Sequence, residues 1–311
     1  MNLLNIIKYK ITLRFTKDTY LLPFVGNTIR GAFGRALSEV CNIGGGGDTG
    51  GSDKEGVGCA GSSAKSGAVG SNGDGSNIDN NADSSADTNE SHNECSDAYS
   101  NVFKVSSDAS VPNPYAISAP YPSKGKYTAG DELSFNITLF GNAASYTPEI
   151  LTAAACMCRG KFQNAICHNR SLVYDTEWSD NGADSIPHCD TLIVQFLSPT
   201  EILNNKEPVT ELSFSAFIDS LFGRIGGIID NYTDSQFIIP YSLIADKPFV
   251  RAEYDLKSIN LETNSQPIQS FIGTIRYYGD VTRYLPYIDL GSQLHICKKT
   301  TRSCGEYTYE I

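Results

Sequence analysis

What most constrains this chain is an order of elements that its periodicity supports twice. Residues 6–15 alternate as a strand, and residues 25–40 carry apolar side chains at helical spacing, with Gly31 and Gly34 on the run. Residues 114–118 and 132–140 read as two more strands, the second alternating strictly at Leu133, Phe135, Ile137 and Leu139 after a Gly130-Asp131 turn. A helix follows over 146–158, where Pro148 is acceptable in the first turn, and residues 171–174 form a last strand.

The polar, turn-rich stretch TEWSDNGADSIP at 176–187 reads as a linker, and beyond it the order returns. Residues 191–197 are a strand, 213–232 an amphipathic helix, 249–261 and 268–278 strands, 281–290 a short helix interrupted by Pro286, and 305–311 a final strand. Two successive split βαβ units predict an α+β chain of two tandem ferredoxin-like (βαββαβ) domains, each an antiparallel sheet with both helices on one face. The first occupies 1–175 and the second 188–311; the 311 residues suffice for two cores, since single domains cluster near roughly 100 to 150.

The first domain is interrupted. Residues 42–98 are rich in Gly, Ser, Asn and Asp, with only Ile43, Val57, Val69 and Ile78 as larger aliphatics over 42–97 and no aromatic residue there. Such a segment cannot offset roughly 1 to 2 kcal/mol of backbone entropy per residue, so a long disordered insertion is expected, tolerable where its ends meet on a formed domain. It also holds ten acidic residues against Lys54 and Lys65, which leaves 22 basic and 25 acidic residues elsewhere. The folded part is therefore near neutral, and the overall charge of -11 neither demands nor excludes a nucleic-acid partner.

Nine cysteines without a signal peptide suggest thiols more than disulfides. Cys41, Cys59, Cys95 and His92 are of types that zinc accepts, but no C-x-x-C pair accompanies them, and free thiols in a loose loop are the other reading. No metal is assigned. No Walker-type loop follows a strand, so no nucleotide cofactor is expected. No apolar run approaches the roughly 20 residues of a membrane span, and Lys8 and Lys10 stand where a signal peptide would be apolar, so a cytoplasmic protein is expected.

Three separated segments resemble one family. Leu22-Pro-Phe-Val-Gly-Asn-Thr-Ile-Arg-Gly-Ala-Phe-Gly-Arg-Ala-Leu37 is similar to the opening motif of the CRISPR-associated endoribonucleases that cut repeat precursor RNA, in the RAMP superfamily. Asn113-Pro-Tyr-Ala-Ile-Ser-Ala-Pro120, with Gly130-Asp131 and Leu139-Phe-Gly-Asn-Ala143, resembles the second signature. Gly273-Thr-Ile-Arg-Tyr-Tyr-Gly-Asp280, Leu285-Pro-Tyr-Ile-Asp-Leu-Gly291 and Leu294-His295 resemble the carboxyl-terminal one. The resemblance implies the same paired fold. It also implies attack by a ribose 2'-hydroxyl on the adjacent phosphate, without a metal or cofactor, to leave a 2',3'-cyclic phosphate; repeat RNA and other CRISPR effector subunits are the implied partners.

Where the family often carries a histidine, after Gly-Ala-Phe-Gly, this chain has Arg35. A guanidinium stays protonated, so Arg35 suits a phosphorane or the scissile phosphate and not proton removal. Tyr20 lies where the resemblance implies a tyrosine, to orient the 2'-hydroxyl or donate a hydrogen bond, with an ordinary turn aromatic as its plain alternative. Arg30, Arg159, Lys161, Lys298, Lys299 and Arg302 are the RNA-binding candidates, each with a solvated surface role as its plain alternative. Glycines expected in the carboxyl-terminal loop are replaced by Cys297, Lys299 and Ser303, which predicts the loss of a tight backbone cradle; only Gly305 remains. His295 precedes that loop and suits a structural hydrogen bond, while His168 and His188 have no motif around them. Two further readings stay open: a family member that holds RNA without cutting, and an interaction scaffold without RNA affinity.

Overall fold

The computed structural model describes residues 3–42, 98–104, 111–179, 188–204, 207–209, 211–245, 248–261, 268–297 and 299–311. Nearly all of the 42–98 insertion, with Cys59, His92 and Cys95, lies outside them, as do Lys298 and residues 180–187 of the expected linker.

The first unit runs β1 (Leu3–Phe15), α1 (Gly26–Asn42), β2 (Tyr115–Ser118), β3 (Glu132–Phe140), α2 (Thr147–Cys156) and β4 (Ala165–Ser179). Its sheet order is β2-β3-β1-β4, and every neighbouring pair is antiparallel. The second unit repeats it with β5 (Thr191–Thr200), α3 (Phe214–Tyr232), β6 (Arg251–Leu261), β7 (Ile268–Tyr278), α4 (Leu285–Leu294) and β8 (Tyr307–Glu310) in the order β6-β7-β5-β8. This is the tandem ferredoxin-like arrangement that the periodicity predicts.

Most ends differ from expectation by a few residues, and two differences have a plain physical reason. β4 is 15 residues long and pairs with β1 from Ala165 to Ser179, so it takes the first four residues of the stretch read as linker. As a sheet edge it buries only Ala165 and therefore lacks the hydrophobic alternation that marks a strand in sequence. Pro286 does not interrupt α4: it sits in the first turn, where its missing N–H costs nothing, after a 3₁₀ turn at Thr282–Tyr284.

Strand β1 shows how the two units join. Ile11, Leu13 and Phe15 point into the core under α1 and α2. Residues of the opposite parity form the open face, and at its amino end Leu4 and Ile6 enter the core of the second unit together with Ala116 and Phe140. Burial of such side chains stabilises by roughly 1.5–3 kcal/mol each, so the second unit uses the first as part of its own interior. The contact continues at Gly141, whose φ is 57° and where a Cβ would come within 2.0 Å of the Tyr232 carbonyl oxygen at the end of α3. The Tyr232 hydroxyl in turn donates to the Pro112 carbonyl at 2.6 Å.

Candidate functional site

Helix α1 buries a stripe of Ile29, Ala32, Phe33, Ala36 and Leu37, the i, i+3, i+4 spacing of an amphipathic helix, with buried Val25 just before it. The other side carries half-buried Arg30, exposed Arg35 and exposed Glu39. Beside it opens a groove of about 440 Å³ lined by Arg30, Gly31, Arg35, Ser38, Tyr99 and Phe103. Gly34 makes the groove's wall possible, since a Cβ there would lie 2.1 Å from the Phe103 ring.

Arg30 is fixed rather than free. Its guanidinium stands 4.7 Å from the Phe103 ring centroid, and its Nε donates to Thr301 Oγ1 at 3.1 Å. Thr301 belongs to the 3₁₀ turn Thr300–Arg302 of the second unit, so α1 is seated directly on the carboxyl-terminal loop. The amino end of the helix makes the same contact more closely: a Cβ on Gly26 would meet the Arg302 carbonyl oxygen at 2.1 Å. Burial pushes the Tyr115 hydroxyl well above its ordinary pKa, and the nearby Arg30 charge opposes the shift.

The loop itself corrects an expectation from the sequence. Cys297 and Ser303, which replace family glycines, both keep positive φ, 91° and 63°, and His295 precedes them at 60°. The left-handed backbone therefore persists where a Cβ opposes it, because the surroundings over-determine it. Ser303 Oγ accepts from the Ala119 amide at 2.8 Å. Buried Arg224 donates to Thr300 Oγ1 at 3.0 Å and to the Leu294 carbonyl at 3.3 Å. Gly305, with φ of 77°, runs so close that a Cβ would lie 1.5 Å from the Ile296 carbonyl oxygen. Lys299 has lost its glycine geometry, with φ of -105°, and its ammonium is held 2.6 Å from the largely buried Glu201 carboxylate.

The loop after α2 supplies the other end of the site. Arg159 pairs with Glu39, Lys161 is exposed, and Gly160, with φ of 57°, lies against Arg35, a Cβ there being 3.7 Å from Nη2. Tyr20 stands apart on a small hairpin in which Thr19–Tyr20 pairs with Lys126–Tyr127. It is 70% exposed, with the Lys126 ammonium 5.7 Å from its ring, and no hydrogen bond or ring contact joins it to Arg35 among the described residues.

Arg30 and Arg35 thus share the groove on α1, Arg159 reaches Glu39 of that helix, and the Arg302 backbone lies at its amino end; the structure pairs Lys299 with Glu201 and leaves Lys161 exposed. Tyr99 and Phe103 escaped the sequence reading because they follow a low-complexity stretch with no periodicity. Three histidines are described and none lines the groove. Buried His295 bonds through Nε2 to Ser118 Oγ at 3.0 Å, and burial, with lesser repulsion from Lys8 and Arg224, lowers its pKa to about 3. His168 accepts from Arg14 on the open sheet face at 2.7 Å, and exposed His188 lies beside Thr282. Among the described residues no group of three or more His, Cys, Asp or Glu can hold a metal, and no helix is long and apolar enough to cross a membrane.

Residues 194–307 match the family model described as CRISPR-associated endoribonuclease Cas6, and residues 80–174 match one described as the AF_1859_N N-terminal domain. No curated protein sequence matches. Among solved structures, Thermus thermophilus Cas6 (TTHB231) aligns with a TM-score of 0.56 and 11% identity, covering 98% of each chain. The Cas6 (TTHB231) product complex gives 0.58 and 11% over 98% of this chain and 99% of that one. The Cas6 (TTHA0078) product complex gives 0.52 and 12% over 99% and 100%. These likenesses establish the fold across both units, and the Cas6 family model matches most of the second unit.

Proposed function

We propose that this protein binds CRISPR repeat RNA across the exposed face of α1 and cleaves it at a phosphate beside Arg35. The observation that carries the reading is the exposed Arg35 guanidinium on a glycine-lined groove that Arg30 also lines, with Arg159 paired to Glu39 of the same helix. The solved relatives include Cas6 product complexes, which accords with an RNA ligand.

In the proposed step the 2'-oxygen forms a bond to phosphorus as the bond to the 5'-oxygen breaks. The products are a 2',3'-cyclic phosphate and a 5'-hydroxyl, and the 2'-hydroxyl proton leaves as the 5'-oxygen gains one. The nucleophile is the RNA's own hydroxyl, so the step requires no metal. Arg35 donates to the non-bridging oxygens as charge develops on the phosphorane, and such donors are worth roughly 10²- to 10³-fold in rate. Tyr20 acts only if bound RNA spans the surface between the hairpin and the groove, where its hydroxyl orients the attacking group. Arg159 and Lys299 start in ion pairs with Glu39 and Glu201, so phosphates compete with those carboxylates for them.

A second reading has its own support: no described histidine lines the groove, and Arg35 cannot take up a proton. In that reading the protein holds repeat RNA without cutting it. Incubation of end-labelled repeat RNA with the protein in excess chelator separates the two, since cleavage yields a cyclic-phosphate fragment and retention yields only a retarded band. A scaffold without RNA affinity would give neither.

A further inference from the structure

Three aromatic rings lead from the core of the first unit to the groove. Tyr115 is fully buried on β2; Phe103 lies nearly parallel to it, with centroids 6.2 Å apart and planes 21° from parallel. Tyr99 stacks on Phe103 at 5.5 Å and 23°, and it is half-exposed in the groove wall together with Arg35. The column is held firmly. Phe103 occupies the space that Gly34 leaves, Arg30 covers it at 4.7 Å, and buried Val102 anchors the π-helical turn Tyr99–Phe103. The turn closes with the Lys104 amide donating to the Tyr99 carbonyl at 2.9 Å, and Asn101 Nδ2 donates to the Tyr146 hydroxyl at 2.8 Å.

A rigid aromatic surface costs little entropy to use, and here it stands beside two guanidinium groups. That pairing suits a ligand with a flat π-face and an anionic group close by, which is the chemistry of a nucleotide; an apolar peptide side chain would leave Arg30 and Arg35 without a role. We propose that Tyr99 is a nucleobase-stacking residue, which holds one base of the bound RNA while Arg35 meets a neighbouring phosphate. The inference rests on the RNA-binding reading above and adds to it a position where the strand is gripped by a base rather than by charge. Because every base has a π-face, the contact fixes the placing of the strand more than its sequence.

The test uses repeat RNAs carrying 2-aminopurine at each position in turn, bound to the full protein and to its Tyr99→Phe and Tyr99→Leu variants. One position should show quenched fluorescence with the wild-type protein and with Tyr99→Phe, and lose the quench with Tyr99→Leu. Affinity should fall roughly 5- to 100-fold in Tyr99→Leu, with an unchanged salt slope because no phosphate contact is removed. Should Tyr99→Leu fold poorly, Tyr99→Trp gives a second readout, since the chain has only Trp178 besides: indole emission quenched by repeat RNA supports stacking, and unaltered emission on binding overturns it. RNA binding with no position that depends on Tyr99 would overturn the stacking role and leave the RNA reading standing. Failure of the wild-type protein to bind repeat RNA would overturn both.

Discussion

The residue on which the account turns is Arg35. It has the exposure and the neighbours of a phosphate ligand, and it cannot serve as the base that a histidine at this position would provide. Arg35→Ala is expected to lower the single-turnover cleavage rate by roughly 10²- to 10³-fold while RNA affinity falls much less, because one transition-state donor is lost. Arg35→Lys should recover only part of the rate, since a point charge cannot reproduce a bidentate fork. His295 gives a prediction of different kind. Its folded pKa, about 3, lies below the ordinary value, so below about pH 6.5 the unfolded chain takes up a proton that the folded one refuses. Stability should therefore fall with acidification between pH 6.5 and 3, by up to about 1.4 kcal/mol per pH unit from this group alone. Urea unfolding at several pH values should show a shallower slope of stability against pH for His295→Asn, whatever that substitution does to the absolute stability.

At the scale of elements, the carboxyl-terminal loop is held by side chains where glycine would ordinarily ease the backbone. Ser303→Ala should cost about 1–3 kcal/mol, because it leaves the buried Ala119 amide without its acceptor while keeping a Cβ at positive φ. Ser303→Gly should cost less, since the backbone penalty disappears with the side chain; thermal melts of the two variants give the comparison directly. The same loop marks where sequence reading reaches its limit. Strand β3 was legible to the residue because its apolar side chains alternate strictly, and β7 because it is an apolar, β-branched and aromatic run that follows a polar turn. Edge strand β4 was legible over only four of its 15 residues, since it buries almost nothing. The positive φ at Cys297 and Ser303 left no local sign, for the loop is held by Ala119 and Arg224 from elsewhere in the fold. In the site, the arginines were visible as charge next to glycine-rich motifs, whereas Tyr99, Phe103 and the carboxylates that hold Arg159 and Lys299 became visible only when the chain was folded.

Over the whole molecule, the two ferredoxin-like units share an interior: Leu4, Ile6, Ala116 and Phe140 of the first lie in the core of the second. Gly141 is the tightest point of that contact. Gly141→Ala combines a Cβ at positive φ with a clash against the Tyr232 carbonyl, and a loss of roughly 2 kcal/mol or more is expected, with one unfolding transition shared by both units. The shared interior also explains how a site can be assembled from α1 of the first unit and the 295–305 loop of the second. The most direct test of the central claim is cleavage of end-labelled repeat RNA in excess chelator by the wild-type protein and by Arg35→Ala. The account predicts a single cut that leaves a 2',3'-cyclic phosphate, slowed strongly in the variant; an intact RNA in both, or equal rates of cleavage in the two, would contradict it.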